Sequence, residues 1–110
     1  MGLKDLHHKV YVILLDSEVL TKEKKFRERN PDCVPGWPCL YVGSTGLSRE
    51  ERFANHKEGY KGNKYVKKYG LRLAMEFVEN SDSMSWKQAK SEEESLAKSL
   101  SLMGYPVWQN

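Results

Sequence analysis

The longest uninterrupted apolar stretch in this chain is the feature that most limits its fold. It runs from Val10 to Leu15 and contains β-branched and aromatic residues. Because a helix needs about 20 apolar residues to cross a bilayer, a stretch this short predicts no membrane span. Short, continuous and β-branched runs are typical of a strand that is covered on both faces. We therefore expect residues 10–15 to form the first strand of a folded domain.

Length and composition predict a single compact domain over residues 1–110. A chain of 110 residues with 39% hydrophobic and 30% charged residues can bury one core and is too short for two. Two cysteines, Cys33 and Cys39, are too few for a secreted disulfide scaffold and lack the partners of a zinc site, so both are expected to be free thiols. No charged and apolar leader with a cleavage site opens the chain, which favours a cytoplasmic location.

A second strand pattern, from Leu40 to Gly43, predicts an antiparallel hairpin with the first strand. Residues 16–38 interrupt the hairpin with a charged stretch and a Pro-Gly-Trp-Pro cluster, which predicts an inserted loop with one helical turn or a mobile tip. Exposed Phe26 and Trp37 would give this loop a surface for a protein partner. The alternative is that both aromatic rings pack back onto their own domain.

Caps, glycines and periodicity predict the remaining elements. Ser48 followed by Glu51 is a capping box for a helix over residues 49–57. Further along we expect a short helix over 63–69 that ends at Gly70, a third strand over 71–77, a long helix from Ser83 or Ser85 to residue 103, and an extended tail over 105–110. This order predicts an α/β (α+β) domain with a small, mostly antiparallel sheet flanked by helices.

The middle of the chain is its basic part. Residues 57–78 contain six basic and two acidic residues, a net charge of +4. Lysines and an arginine alternate with tyrosines there, a mixture that neutralises phosphates and offers ring faces for stacking. The residues concerned are Lys57, Lys61, Lys64, Lys67, Lys68 and Arg72, with Tyr60, Tyr65 and Tyr69. The pattern predicts nucleic-acid binding; the alternative is a solvated helix face with Tyr65 and Tyr69 in the core.

One acidic residue occupies an apolar position on the long helix. At 100° per residue, Glu93 falls within the apolar stripe formed by Ala89, Leu96, Leu100 and Met103. A carboxylate on an apolar face costs free energy unless it is paired, hydrogen-bonded or bound to a metal. Glu93 is therefore a candidate site residue, with a buried salt bridge or an edge position as the alternatives. Glu92 or Glu94 would replace it if the helix began or bent differently.

A second candidate pair is Arg52 and His56, which stand four residues apart on the capped helix and so share one face. Arginine can hold a phosphate through two hydrogen bonds, and histidine can donate or accept a proton near neutral pH. Simple surface exposure is the alternative interpretation.

The chain contains, in this order, Val10-Tyr11-Val12, Tyr41-Val42-Gly43, Arg52-x3-His56, Glu93 and Asn110. This arrangement of motifs resembles the GIY-YIG nuclease superfamily over nearly the whole chain. The resemblance implies a sandwich with a central three-stranded antiparallel sheet flanked by helices. Residues 16–38 then account for the long spacing between the two motif tyrosines.

The resemblance also implies a catalytic site that cuts nucleic-acid phosphodiesters, with DNA favoured over RNA, and a divalent metal, Mg²⁺ or Mn²⁺. It implies that Glu93 binds the metal and that Arg52 binds the phosphate. Tyr11 would accept the proton of the attacking water, with Tyr41 and His56 as other candidates for that role. Asn110 matches the asparagine near the end of the family pattern. The alternative is a catalytically weak or inactive nucleic-acid-binding module with the same fold.

Overall fold

The computed structural model describes residues 6–110; the first five residues of the predicted domain lie outside the described part. The chain has the α/β class that the sequence predicts. Its elements are β1 (Lys9–Leu15), α1 (Glu18–Lys22), α2 (Lys24–Arg29), β2 (Cys39–Thr45), α3 (Arg49–Glu58), α4 (Lys64–Tyr69), β3 (Gly70–Leu73), a 3₁₀ turn (Met75–Phe77), α5 (Trp86–Met103) and β4 (Val107–Gln109).

The sheet has four strands in the order β3-β1-β2-β4. β1 and β2 pair antiparallel in continuous register, from Lys9 opposite Thr45 to Leu15 opposite Cys39, so the predicted hairpin is confirmed. The prediction of three antiparallel strands is wrong by one strand. The predicted tail forms β4, which pairs parallel to residues 40–42 of β2, because the outer edge of β2 offers backbone groups that need partners.

The third strand is shorter than predicted. It spans Gly70–Leu73 and pairs with residues 13–15 of β1, after which the chain enters the 3₁₀ turn Met75–Phe77 instead of continuing extended. The last strand-like bond is donated by the Ala74 N–H to the Val12 carbonyl, at 2.8 Å. The two-residue periodicity continues to residue 77, but such a pattern does not indicate where a strand stops pairing with its neighbour.

β1 is buried on both faces, as its apolar sequence predicts, because its alternate side chains enter two separate clusters. The first cluster joins β1 and β2 to α1, α2 and α4, and includes Tyr11, Ile13, Phe26, Tyr41, Tyr65 and Tyr69. The second joins the opposite face of the sheet to α5, and includes Val10, Val12, Leu40, Val42, Ala97 and Leu100. Tyr65 and Tyr69 are therefore core residues, so of the three tyrosines in the basic segment only Tyr60 is exposed.

Residues 16–38 are not a simple loop. They form two short helices, α1 and α2, and the Phe26 side chain of α2 is fully buried, so the expectation that Phe26 offers a partner surface is wrong. Asn30 connects the end of α2 to β4. Its Nδ2 donates to the Val107 carbonyl at 3.1 Å, and its Oδ1 accepts from the Val107 N–H at 2.9 Å. The insertion thus supports both the core and β4. Trp37 is partly exposed and packs against Tyr105, with ring centroids 4.7 Å apart.

The long helix α5 begins and ends where caps predict. The Ser85 hydroxyl accepts from the Gln88 N–H, the Gln88 side chain accepts from the Ser85 N–H, and Gly104 ends the helix with φ of 120°. Ala89 and Leu100 are buried, but Met103 is 63% exposed, contrary to the predicted stripe. Helical phase gives the direction of a side chain but not how far along the helix the covering sheet extends.

Within residues 6–110 no helix has both the length and the apolar content required to cross a membrane. Cys33 and Cys39 are free thiols, as expected.

Candidate active site

The two motif tyrosines lie on the same face of the β1–β2 hairpin, with ring centroids 6.1 Å apart. Tyr11 stands opposite Gly43 in the strand register. A Cβ atom at Gly43 would lie 2.6 Å from the Tyr11 hydroxyl oxygen, which is closer than such atoms approach in proteins. The glycine of the second motif therefore leaves the space that the Tyr11 ring occupies.

Helix α3 supplies His56, which is fully buried against both tyrosines. Its Nδ1 lies 2.8 Å from the backbone nitrogen of Asn63, and its Nε2 lies 2.8 Å from the Tyr11 hydroxyl oxygen. A backbone N–H can only donate, so Nδ1 must accept and the proton of the neutral imidazole must be on Nε2. His56 therefore donates a hydrogen bond to Tyr11.

Arg52 is one turn earlier on the same face of α3 and is partly buried. Its Nη2 donates to the Lys61 carbonyl at 2.9 Å. Burial raises the pKa of Tyr11 well above its ordinary value and Tyr41 raises it further, whereas the Arg52 charge lowers it. Burial, together with the Arg52 charge, lowers the pKa of His56 to about 4. At neutral pH the cluster thus has a neutral histidine, protonated tyrosines and one fixed cation.

Glu93 is only 3% exposed, as its helical phase predicts, whereas Glu92 and Glu94 point to solvent. Its Oε1 accepts from the Ser44 hydroxyl at 2.7 Å, and its Oε2 accepts from Gln109 Nε2 at 2.7 Å. Lys90, which is partly exposed, forms an ion pair with Oε1 at 3.5 Å. Burial raises the pKa of Tyr41 and the Glu93 charge raises it further, whereas Tyr11 and the Arg52 charge lower it.

Asn110 reaches the same group of residues from the end of β4. Its Nδ2 donates to the Tyr41 hydroxyl oxygen at 3.2 Å, and its Oδ1 accepts from Asn63 Nδ2 at 3.0 Å and from Trp108 Nε1 at 3.3 Å. The structure therefore brings together five of the six predicted residues, which are Tyr11, Tyr41, Arg52, His56 and Asn110. The sixth, Glu93, comes from α5 on the opposite face of the sheet, where it bonds to Ser44 and Gln109.

Asn63 is a connection that the sequence analysis missed. Besides its bonds to His56 and Asn110, its Oδ1 accepts from the backbone N–H groups of Tyr65 and Val66 and so caps α4. An asparagine immediately before a helix is a recognisable N-cap, but its two long-range bonds have no local signal. The same holds for Ser44 and Gln109, which orient the Glu93 carboxylate.

The predicted group offers no set of zinc ligands, and its one carboxylate, Glu93, is also contacted by Lys90 at 3.5 Å. Across residues 6–110 no group of three or more His, Cys, Asp or Glu side chains could enclose an ion. A carboxylate has about four lone-pair sites, and the short hydrogen bonds to Glu93 use one on each oxygen. Mg²⁺ is commonly held by one or two carboxylates together with waters and substrate phosphate, so Glu93 is the residue that would bind it.

Several basic side chains of the predicted nucleic-acid-binding segment are engaged in contacts within the protein. Lys57 donates to the Lys67 and Gly70 carbonyls, at 3.1 and 2.9 Å. Lys68 pairs with Glu23 at 3.7 Å.

Arg72 forms two hydrogen bonds to Glu76, at 3.1 and 2.8 Å. Lys61, Lys64 and Lys67 are exposed and form no ion pair with any residue in the described part of the chain. These three lysines, together with Arg52, are the cations left for a phosphate backbone.

Comparison of the chain with protein-family models, with curated proteins and with solved structures gave no significant match.

Proposed function

We propose that this chain is a metal-dependent endonuclease of the GIY-YIG type, which hydrolyses phosphodiester bonds in DNA. The observation that carries the proposal is the meeting of Tyr11, Tyr41, Arg52, His56 and Asn110, which come from separate elements between β1 and β4. Glu93 adds a buried carboxylate that bonds to Gln109, the sequence neighbour of Asn110. A guanidinium, a carboxylate and two phenols are groups that phosphodiester cleavage can use.

In the proposed reaction Arg52 binds the nonbridging oxygens of the phosphate, because a guanidinium offers donors in a planar fork. Glu93 would hold a Mg²⁺ or Mn²⁺ ion, which when bound supplies further positive charge at those oxygens. Ser44 and Gln109 keep the carboxylate in place through their bonds to its two oxygens.

We assign Tyr11 as the group that takes the proton of the attacking water. It must first lose its own proton to solvent, so the Arg52 charge and the bound metal ion would have to lower its pKa enough for the phenolate to form. His56 is a poor candidate for this role, because its Nδ1 already accepts from Asn63 and its Nε2 carries a proton. That Nε2–H, at 2.8 Å, instead stabilises negative charge on the Tyr11 oxygen. Tyr41 is less suited than Tyr11, because its hydrogen bond from Asn110 is longer, at 3.2 Å, than the bond of 2.8 Å from His56 to Tyr11.

The substrate is proposed to be DNA, which the exposed lysines Lys61, Lys64 and Lys67 would approach through its phosphates. A single small domain has little room for a sequence-reading module, so we propose recognition of nucleic-acid shape or targeting by a partner protein. Trp37, rather than Phe26, is the aromatic ring of the 16–38 segment that remains accessible to a partner.

The test is cleavage of supercoiled, branched and single-stranded DNA by the purified protein with Mg²⁺ or Mn²⁺. Glu93→Ala and Arg52→Ala should abolish cleavage, while Glu94→Ala, the exposed neighbour on α5, should retain it. Circular dichroism of each variant verifies folding. Cleavage that survives Glu93→Ala would identify a contaminating nuclease and refute the proposal. Salt-sensitive DNA binding without turnover, unaffected by Glu93→Ala, would instead identify an inactive binding module.

A further inference from the structure

Tyr60 differs from the other tyrosines of the basic segment because its ring is 60% exposed, whereas Tyr65 and Tyr69 are buried in the core. It lies on the five-residue loop that joins α3 to α4, over residues 59–63. Single exposed rings are common, so exposure alone indicates nothing. What distinguishes Tyr60 is how its loop is attached.

The backbone of the loop is attached to α3 and to Arg52. The Lys61 carbonyl accepts from Arg52 Nη2 at 2.9 Å, and the Tyr60 N–H donates to the Asn55 carbonyl of α3 at 2.9 Å. Gly62 packs so closely on His56 that a Cβ there would lie 2.7 Å from the His56 Cα. Tyr60 is thus held beside the site before any ligand arrives, which lowers the entropic cost of binding.

The loop also lies beside Arg52. Tyr60 is next in sequence to Lys61, whose carbonyl accepts from Arg52 Nη2. A phosphate bound to Arg52 would therefore lie beside the loop that carries Tyr60.

The charge around the ring suits a nucleotide. Lys61 Nζ lies 5.6 Å from the centroid of the Tyr60 ring, and Lys61 forms no ion pair within residues 6–110. An aromatic face beside a free cation is the combination by which proteins bind single-stranded nucleic acid, since the ring stacks on a base while the cation follows the backbone.

We propose that Tyr60 and Lys61 form a stacking subsite for one unpaired nucleobase, next to the phosphate that Arg52 holds. This inference rests on the proposed function and specifies its substrate class. A base inside a duplex has both faces covered by neighbouring bases, so the Tyr60 ring cannot stack on it. The preferred substrate therefore has an unpaired nucleotide beside the cut, as in a single strand, a flap or a bulge.

Stacking can be measured without cleavage. Glu93→Ala protein is titrated with a single-stranded oligonucleotide that contains 2-aminopurine, whose fluorescence falls when the base stacks. Adding Tyr60→Leu should remove the quenching and weaken binding about tenfold, whereas Tyr60→Phe should retain both. Trp86→Leu is the matched control, because Trp86 is also an exposed aromatic residue, at 61%, and lies on α5.

The two proposals fail in different ways. Quenching that depends on Tyr60, without cleavage by the wild-type protein, would leave the subsite standing and refute the nuclease. Equal cleavage of single-stranded DNA by wild-type protein and Tyr60→Leu, with equal binding, would refute the subsite and leave the nuclease standing. Absence of oligonucleotide binding by Glu93→Ala protein, or quenching unchanged in Tyr60→Leu, would also overturn the subsite.

Discussion

Asn63 is the residue whose replacement should separate stability from activity. Asn63→Ala removes the acceptor for the Tyr65 and Val66 N–H groups and the donor to Asn110. Loss of an N-cap costs about 1 kcal/mol and loss of a neutral hydrogen bond about 1 kcal/mol, so the free energy of unfolding should fall by about 2 kcal/mol. Asn63→Asp keeps the cap and loses the donor, so its fall should be about 1 kcal/mol.

Thermal unfolding by calorimetry tests this order. The unfolding entropy per residue predicts a Tm decrease of about 9 °C for Asn63→Ala and about 4 °C for Asn63→Asp in a chain of 110 residues. Both variants should lose DNA cleavage to a similar extent, because Asn110 loses the same donor in each. Asn80→Ala, in an exposed loop, is the control and should lower Tm by about 2 °C or less. Equal destabilisation by Ala and Asp would refute the capping argument.

Three further predictions follow from other contacts. Gly43→Ala should displace the Tyr11 ring, lowering the free energy of unfolding by about 1–3 kcal/mol and abolishing cleavage; unchanged activity would contradict this. Folded His56 stays neutral down to about pH 4, whereas the unfolded chain takes up this proton near its ordinary pKa of 6.5, so stability should fall as pH decreases between these values. The fall, measured by urea unfolding, should be smaller in His56→Gln, and an identical pH profile would refute it. Asn30→Ala should lower the free energy of unfolding by about 2–4 kcal/mol, because three bonds anchoring α2 and β4 are lost; a change below about 0.5 kcal/mol in the same assay would show that Val107 does not need this anchor.

Local patterns predicted the parts of the fold that depend on local physics. The cap at Ser48, the end of α5 at Gly104 and the inward phase of Glu93 each follow from a few neighbouring residues. The pairing of β1 with β2 could be predicted as well, because both runs are strongly apolar and follow one another as the first two strands of the chain.

Contacts between residues that are distant in sequence could not be predicted from local patterns. The pairing of β4 depends on the free edge of β2, far away in sequence, and on Asn30 of the insertion. The bond from Asn63 to His56 uses a backbone N–H, which every residue except proline has, so no residue type signals it. The burial of Phe26 likewise depends on contacts with Tyr65 and Trp108 that no local pattern indicates.

The sources of the clustered side chains have a consequence for the partly folded chain. Tyr11 comes from β1 and Asn110 follows β4, so the first and last strands of the sequence must both be in place before the cluster exists. An intermediate that contains only the hairpin, or only the helices, does not contain the complete cluster. Any hydrolytic activity should therefore appear and vanish together with global tertiary order, and a misfolded copy would be harmless to the nucleic acid around it.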